Sequence, residues 1–331
     1  MTAFRALRVF EENGGYVTRL VERTPDELPA GEVTVRVAWS SLNYKDALSL
    51  SGNKGVTRKY PHTPGIDAAG TVVASSSAQV KAGDRVIVTG YDLGMNTDGG
   101  FGECIRVPAS WVVPAPPGLD LRTAMALGTA GLTAALCVDS LLQVGIAPSQ
   151  GEVLVTGASG GVGSVAVMLL AQHGFSVIAG SGKADRAAWL KGIGAQDVIG
   201  REALLAGSEK AMLKERWAGV VDTVGGDILF NAVKATKYGG SVACCGLTAG
   251  ANFSGNVFPF ILRGVNLLGV DSVELPLDIK LQMWDLLANE WRLPTLASIT
   301  EEIGLEQVPD YGERMLRGGT AGRILVRVTG D

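Results

Sequence analysis

Apolar and polar positions alternate over Val33-Thr34-Val35-Arg36-Val37-Ala38-Trp39, the pattern of a strand with one face in a core. Gly70-Thr71-Val72-Val73 and Asp84-Arg85-Val86-Ile87-Val88 read the same way. Turn signals separate them, at Pro64-Gly65, Lys81-Ala82-Gly83-Asp84 and Asp98-Gly99-Gly100. Short strands broken this often by Gly and Pro predict a compact β-barrel-like domain over residues 1–124, closed by the stiff Val113-Pro114-Ala115-Pro116-Pro117-Gly118. From residue 125 the texture changes. Strands are predicted at 153–156, 176–180, 219–224, 240–245 and 266–270, with helical runs at 162–173, 184–192 and 227–236. Continuous apolar strands joined by helices predict an α/β domain, a doubly wound parallel sheet covered on both faces. An amphipathic helix follows at 277–291. The last strand, Gly322-Arg323-Ile324-Leu325-Val326-Arg327-Val328, has no place in that sheet and is predicted to return to the first domain. The expected domains are therefore 1–124 completed by 298–331, and 125–297.

The chemistry concentrates where Val153-Leu154-Val155-Thr156 runs into Gly157-Ala158-Ser159-Gly160-Gly161-Val162-Gly163 and an apolar helical run. Strand, tight turn and helix start are the context a Rossmann dinucleotide fingerprint needs. Glycine lets backbone N–H groups come close to a pyrophosphate, and the helix start supplies unpaired donors. The next strand ends without the Asp or Glu that would hold an NAD ribose. It ends instead in Ser181, Gly182, Lys183 and Arg186, which suit a 2′-phosphate, so the cofactor is read as NADPH.

Composition narrows the class further. The chain has 331 residues, 47% hydrophobic and 19% charged, enough for two domains with sizeable cores. A net charge of −4 gives no nucleic-acid or membrane-surface footprint. Four scattered cysteines fit a reduced, cytoplasmic setting, and Arg5, Arg8 and Glu11 do not fit a signal peptide. The longest apolar run, 124–138, holds Gly128, Thr129, Gly131 and Thr133 and is read as a buried helix.

Four segments carry a family resemblance: Ser41-Leu42-Asn43-Tyr44-Lys45-Asp46-Ala47-Leu48, Thr63-Pro64-Gly65-Ile66-Asp67, the glycine fingerprint, and Leu268-Gly269-Val270-Asp271-Ser272-Val273. With them the chain resembles the medium-chain dehydrogenase/reductase superfamily over nearly its whole length, and within it the zinc-free, quinone oxidoreductase-like acrylyl-CoA reductases. The resemblance implies a GroES-like domain beside the Rossmann domain, an active site in a cleft, and a homodimer. It implies hydride transfer from NADPH to the β-carbon of an α,β-unsaturated acyl-CoA such as acryloyl-CoA, with protonation at the α-carbon. It also implies cofactor contacts at Tyr44, Ser159, Gly160, Gly161, Val162, Ser181, Gly182, Lys183, Arg201, Leu247, Ile261, Ser272 and Arg323, with Leu247 and Ile261 equally readable as core.

Asn43, Tyr44, Lys45 and Asp46 are the candidate catalytic residues, because they stand where a strand gives way to a helix. Asn43 is read as a possible donor to a carbonyl oxygen, and Asp46 equally as a helix-dipole partner. By the resemblance, Asn43 and Tyr44 stand where zinc-dependent members carry a Cys and Gly65-Ile66-Asp67 where they carry Gly-His-Glu, so no metal is expected. Lys54, Arg58 and Lys59 form a predicted basic rim for CoA phosphates, with Lys54 and Arg58 as the substrate-binding candidates. Two rival classes stay open: an NADPH:quinone oxidoreductase and a non-catalytic NADPH-binding protein.

Overall fold

The computed structural model describes residues 3–330, which form two compact units. The first comprises residues 3–129 and 272–330, the second 130–271. In the first unit a seven-stranded sheet runs in the order Thr300–Gly304, Arg323–Arg327, Val33–Leu42, Asp67–Ser75, Arg85–Thr89, Val112–Pro114, with Cys104–Val107 also pairing to Val33–Leu42. A hairpin, Phe4–Glu12 with Gly15–Arg23, completes the β-structure. The C-terminal strand does return to this unit: Ile324 pairs with Leu42 and Leu325 with Ser41, antiparallel. The predicted alternation holds at Val33, Val35 and Val37, all fully buried over exposed Arg36. Beyond Val37 both faces are covered, and the strand continues to Leu42.

The second unit is a six-stranded, all-parallel sheet in the order Asp197–Ile199, Val177–Gly180, Val153–Thr156, Trp217–Asp222, Thr236–Cys244, Asn266–Gly269. This is the doubly wound Rossmann order, which reverses between Val153–Thr156 and Trp217–Asp222. Leu154, Ile178, Val220 and Val242 fill its core. The last strand departs from the pattern. Asn266 and Leu267 are exposed, and among the described residues no strand pairs with their outer edge.

Both expected domain boundaries move. The first falls after Thr129 rather than 124, and the second before Ser272 rather than 298. The helix Leu277–Ala288 explains the second shift. Fully buried Lys280 donates to the Thr89 carbonyl at 2.8 Å with its ammonium 3.7 Å from the Tyr91 ring centroid, and the Tyr91 hydroxyl donates to the Leu275 carbonyl at 3.0 Å. Those contacts tie the helix to the first unit.

The run 124–138 does lie in a helix, Leu121–Gln143, long and apolar enough by composition to span a bilayer, yet 83% of its apolar window is buried in protein. The helix breaks at Gly128, whose φ of 53° and ψ of −159° are open in practice only to glycine. A Cβ there would stand 2.5 Å from Asp67 Oδ2 and 2.6 Å from Ser41 Oγ. Gly128→Ala therefore combines backbone strain with overpacking and is expected to lower unfolding free energy by about 3 kcal/mol or more, read by urea denaturation. A loss below about 1 kcal/mol would show that the kink relaxes at no cost.

Candidate functional site

In the second unit the functional groups gather at the carboxyl ends of the central strands. Gly157 follows Val153–Thr156 with φ of 61°, and a Cβ on it would lie 2.3 Å from Thr223 Oγ1. A Cβ on Gly163 would meet the Gly157 carbonyl oxygen at 2.3 Å, so the helix Gly161–Gln172 packs this closely on the turn only because that residue is glycine. Gly160, Gly161 and Val162 remain half-buried, leaving the helix start open to a ligand's phosphates. One strand over, the Ser181 hydroxyl donates to Ser159 Oγ at 3.1 Å and accepts from the Lys183 backbone N–H at 3.1 Å. Both serines are buried, so the two turns are locked together. Arg201 opens a short helix two residues beyond Asp197–Ile199, and a Cβ on Gly182 would stand 3.9 Å from its Nη2. Ser181, Gly182, Lys183 and Arg201 thus form one cationic corner. Burial, then the neighbouring Arg186, pulls the Lys183 ammonium below its ordinary range, with Asp185 opposing them.

Leu247 and Ile261 are not core. They are 65% and 68% exposed, against the alternative reading of both as interior residues. Ser272 is buried in the first unit, where its carbonyl and that of Val273 pack on Gly90.

In the first unit, Asn43 caps the helix Tyr44–Leu50. Tyr44, its first residue, is 40% exposed, and Lys45 is half-buried. Asp46 is fully buried. Its carboxylate accepts from the backbone N–H groups of Asn43 (2.8 Å), Gly65 (3.0 Å) and Ile66 (2.8 Å). It clips the helix start to the Gly65 turn and cannot itself reach a substrate. Asn43 also departs from expectation. Its Nδ2 donates inward to Asp67 Oδ2 at 2.9 Å and lies 3.3 Å from the Ser41 carbonyl, so its amide hydrogens are not offered to a ligand's carbonyl.

Asp67 is the residue that sequence reading missed as a hub. It accepts from Ser41 Oγ, Asn43 Nδ2, the Thr129 backbone N–H (2.9 Å) and Thr129 Oγ1 (2.5 Å). The Gly128 break frees that N–H from its helical partner. Arg323, 2% exposed, donates from Nε to the Ala126 carbonyl at 2.8 Å. Burial holds its pKa below the ordinary arginine value, with the neighbouring acids Asp67 and Asp46 opposing that in part. The available signal was a Gly-Thr pair inside an apolar helical run.

The predicted basic rim is corrected at Lys54. Its ammonium pairs with Glu11 at 2.6 Å and lies over the rings of Tyr16 (5.5 Å) and Tyr60 (4.8 Å), so its charge is already matched by the hairpin. Arg58 and Lys59 remain exposed. Among the described residues the candidate positions do not fit a zinc ion. Both Asp67 oxygens are occupied by hydrogen bonds, His62 is buried with Nε2 on the Gly94 carbonyl, and no group of three or more His, Cys, Asp or Glu among the described residues could hold a metal.

With this geometry in place, comparison with known proteins identifies the class. Residues 29–117 match the family of alcohol dehydrogenase GroES-like domains, and residues 161–289 the zinc-binding dehydrogenase family. The chain belongs to the medium-chain dehydrogenase/reductases, in the acrylyl-CoA reductase and quinone oxidoreductase-like branch. It is 44% identical over 318 residues to the acrylyl-CoA reductase AcuI of Ruegeria pomeroyi, covering 96% of each chain. It is equally 44% identical, over 329 residues and 99% of each chain, to the Bacillus subtilis protein YhfP, which carries a quinone oxidoreductase name. The solved yhdH oxidoreductase of Salmonella enterica in complex with NADP superposes with a TM-score of 0.96 at 42% identity, over 98% of this chain and all of that one. Bacillus subtilis yhfP with NAD bound superposes at 0.95 and 42%, over 99% and 100%.

Asp46 makes the stability of the first unit depend on pH. Burial, together with the charge of Asp67, raises its pKa to about 7 despite its hydrogen bonds. Below about pH 4 the carboxyl is protonated folded and unfolded alike. Between about 4 and 7 the folded state keeps a proton that the unfolded chain has lost, so stability falls as pH rises, by about 4 kcal/mol over the window. Asp46→Asn loses an acceptor and is expected to be less stable at pH 5, with the gap to wild type narrowing by pH 8. Urea unfolding at both pH values checks this; a constant gap would mean that Asp46 carries no proton.

Proposed function

We propose that this chain is a cytoplasmic, NADPH-dependent reductase of the C=C bond of α,β-unsaturated acyl-CoA thioesters, converting acryloyl-CoA to propionyl-CoA. Identity of 44% with an acrylyl-CoA reductase over 96% of both chains carries the reading. The residues fit the cofactor. Gly160, Gly161 and Val162 would receive its pyrophosphate at the helix start, and Ser181, Lys183 and Arg201 its 2′-phosphate. Exposed Leu247 and Ile261 offer apolar surface to it. Bound NADPH would supply the hydride for the β-carbon.

What the protein adds is orientation and polarity. Tyr44, exposed at the first turn of its helix, presents a hydroxyl to the reacting end of the substrate, as donor to the thioester oxygen or of the α-carbon proton. Lys45 beside it adds positive potential where negative charge develops. Asn43 and Asp46 hold that turn rigid from behind, and Arg58 meets the CoA phosphates from the exposed loop. The YhfP relationship keeps quinone reduction as a second reading, one that needs neither Arg58 nor a thioester.

The test is NADPH oxidation with acryloyl-CoA, crotonyl-CoA and a simple benzoquinone, with NADH as control. Acryloyl-CoA turnover with NADPH is expected, and Lys183→Glu is expected to weaken NADPH at least tenfold while leaving NADH within threefold. Turnover of the quinone alone would replace the reading. Unchanged cofactor preference in Lys183→Glu would overturn the 2′-phosphate assignment.

The proposal includes a homodimer. The outer edge of Asn266–Gly269 is unpaired, and Val257 (60% exposed), Leu262 (61%) and Leu267 (37%) lie exposed on and before that strand. An open strand edge beside apolar surface is a template for another chain, and a second copy satisfies both at once. Sedimentation should give a dimer for wild type and a monomer for Leu262→Asp with Leu267→Lys. A monomeric wild type would overturn the dimer alone.

A further inference from the structure

The polar cluster under Asn43 is larger than the capping of a seven-residue helix requires. Ser41 and Asn43 come from the end of one strand, Asp67 from its neighbour, Thr129 from the helix kink and Arg323 from the C-terminal strand. Their chemistry is asymmetric. Asp67, as a carboxylate, only accepts; Arg323 only donates. Asn43 Nδ2 faces Asp67 at 2.9 Å, and Arg323 Nη1 reaches toward Asn43 Oδ1 at 3.5 Å. An acceptor on one side and a donor on the other leave the amide a single orientation. Asn43 is the cap, and Tyr44 is the next residue. The device is also costly: two acidic side chains and a guanidinium are buried, with Arg323 Nη2 left without a hydrogen-bond partner. Capping alone does not need Asp67 or Arg323, since the Asp46 side chain already accepts from the Asn43 backbone N–H.

We propose that Asp67, acting with Arg323, is a positioning residue for the reduction: it fixes the orientation of the Asn43 amide and thereby the direction in which Tyr44 leaves the first turn of its helix. This rests on the reductase reading. Asp67 touches neither substrate nor cofactor, and its influence passes through Asn43.

Asp67→Asn keeps the size, removes the charge and turns one of the two accepting oxygens into a donor. With acryloyl-CoA and NADPH, kcat is expected to fall tenfold or more, while KM for the thioester and the affinity for NADPH stay within threefold. The decisive readout is coupling to Tyr44→Phe. If Asp67 works through Tyr44, D67N/Y44F is no slower than Y44F alone; a merely structural role gives losses that multiply. Thermal unfolding accompanies each variant. Should D67N fail to fold, Thr129→Val, which removes one hydroxyl donor and keeps the backbone N–H, stands in, with an expected fall in kcat of about threefold and the same absence of additivity with Y44F. An active wild type whose D67N or T129V variant keeps its kcat, or loses it multiplicatively with Y44F, overturns the inference alone. A wild type without thioester turnover overturns the reductase reading and this inference with it.

Discussion

A buried carboxylate must be met by donors on every side, and in the first unit that requirement organises the fold around Asp67. Its donors are distant in sequence: Ser41 and Asn43 on one strand end, Thr129 in a helix, with Arg323 near the C-terminus supplying the opposing charge. The helix can contribute only by breaking at Gly128, which turns the Thr129 N–H out of the helical ladder and brings backbone within reach of the carboxylate. The C-terminal strand can contribute only by crossing back to pair with Val33–Leu42. Chain topology, helix kink and strand register are thus three conditions on one ion cluster. Removing any of them leaves an uncompensated charge in a low-dielectric interior.

The second unit handles negative charge in the opposite sense. There the donors are left open. A helix start at Gly161 keeps its backbone N–H groups accessible, and Lys183 and Arg201 sit at the neighbouring strand ends. The same elementary feature, a helix N-terminus with unpaired donors, is consumed internally at Thr129 and held open at Gly161. What separates the two is the residue placed opposite. Asp67 fills the first, and glycines clear the second, since a side chain at Gly157 or Gly163 would close the turn against Thr223 or its own backbone.

Much of this was legible from the chain. The strand–turn–helix at 153–163, the parallel strands with their crossover helices and the returning C-terminal strand all follow from periodicity and glycine spacing, because each is encoded locally or by elimination. The domain ends were not. The helix Leu277–Ala288 is amphipathic by pattern, but which unit it serves is decided by Lys280 meeting the Thr89 carbonyl, a contact across 191 positions. The role of Asn43 was misjudged for the same reason. Its own neighbourhood marks it as a strand-end polar residue; only Asp67, 24 positions on, turns its amide inward. Lys54 likewise looked like a free cation because Glu11 lies 43 positions earlier.

These corrections shift where the chemistry must reside. With Asn43 and Asp46 turned into the protein and Lys54 ion-paired with Glu11, the outward groups of the Asn43–Asp46 turn reduce to exposed Tyr44 and half-buried Lys45. A turn that presents one phenol and one amine in front of a buried polar cluster suits a reaction in which the cofactor does the bond-making. The protein then needs only to supply a hydrogen bond and positive potential at one oxygen. The zinc-dependent plan of the superfamily puts a Lewis acid at that oxygen. In this chain Asn43 and Asp67 are hydrogen-bonded to each other, Ile66 beside Asp67 offers no ligand atom, and among the described residues no group of three or more His, Cys, Asp or Glu could hold a metal. Substrates whose carbonyl is already activated by conjugation, as in an enoyl thioester, are those for which that substitution loses least.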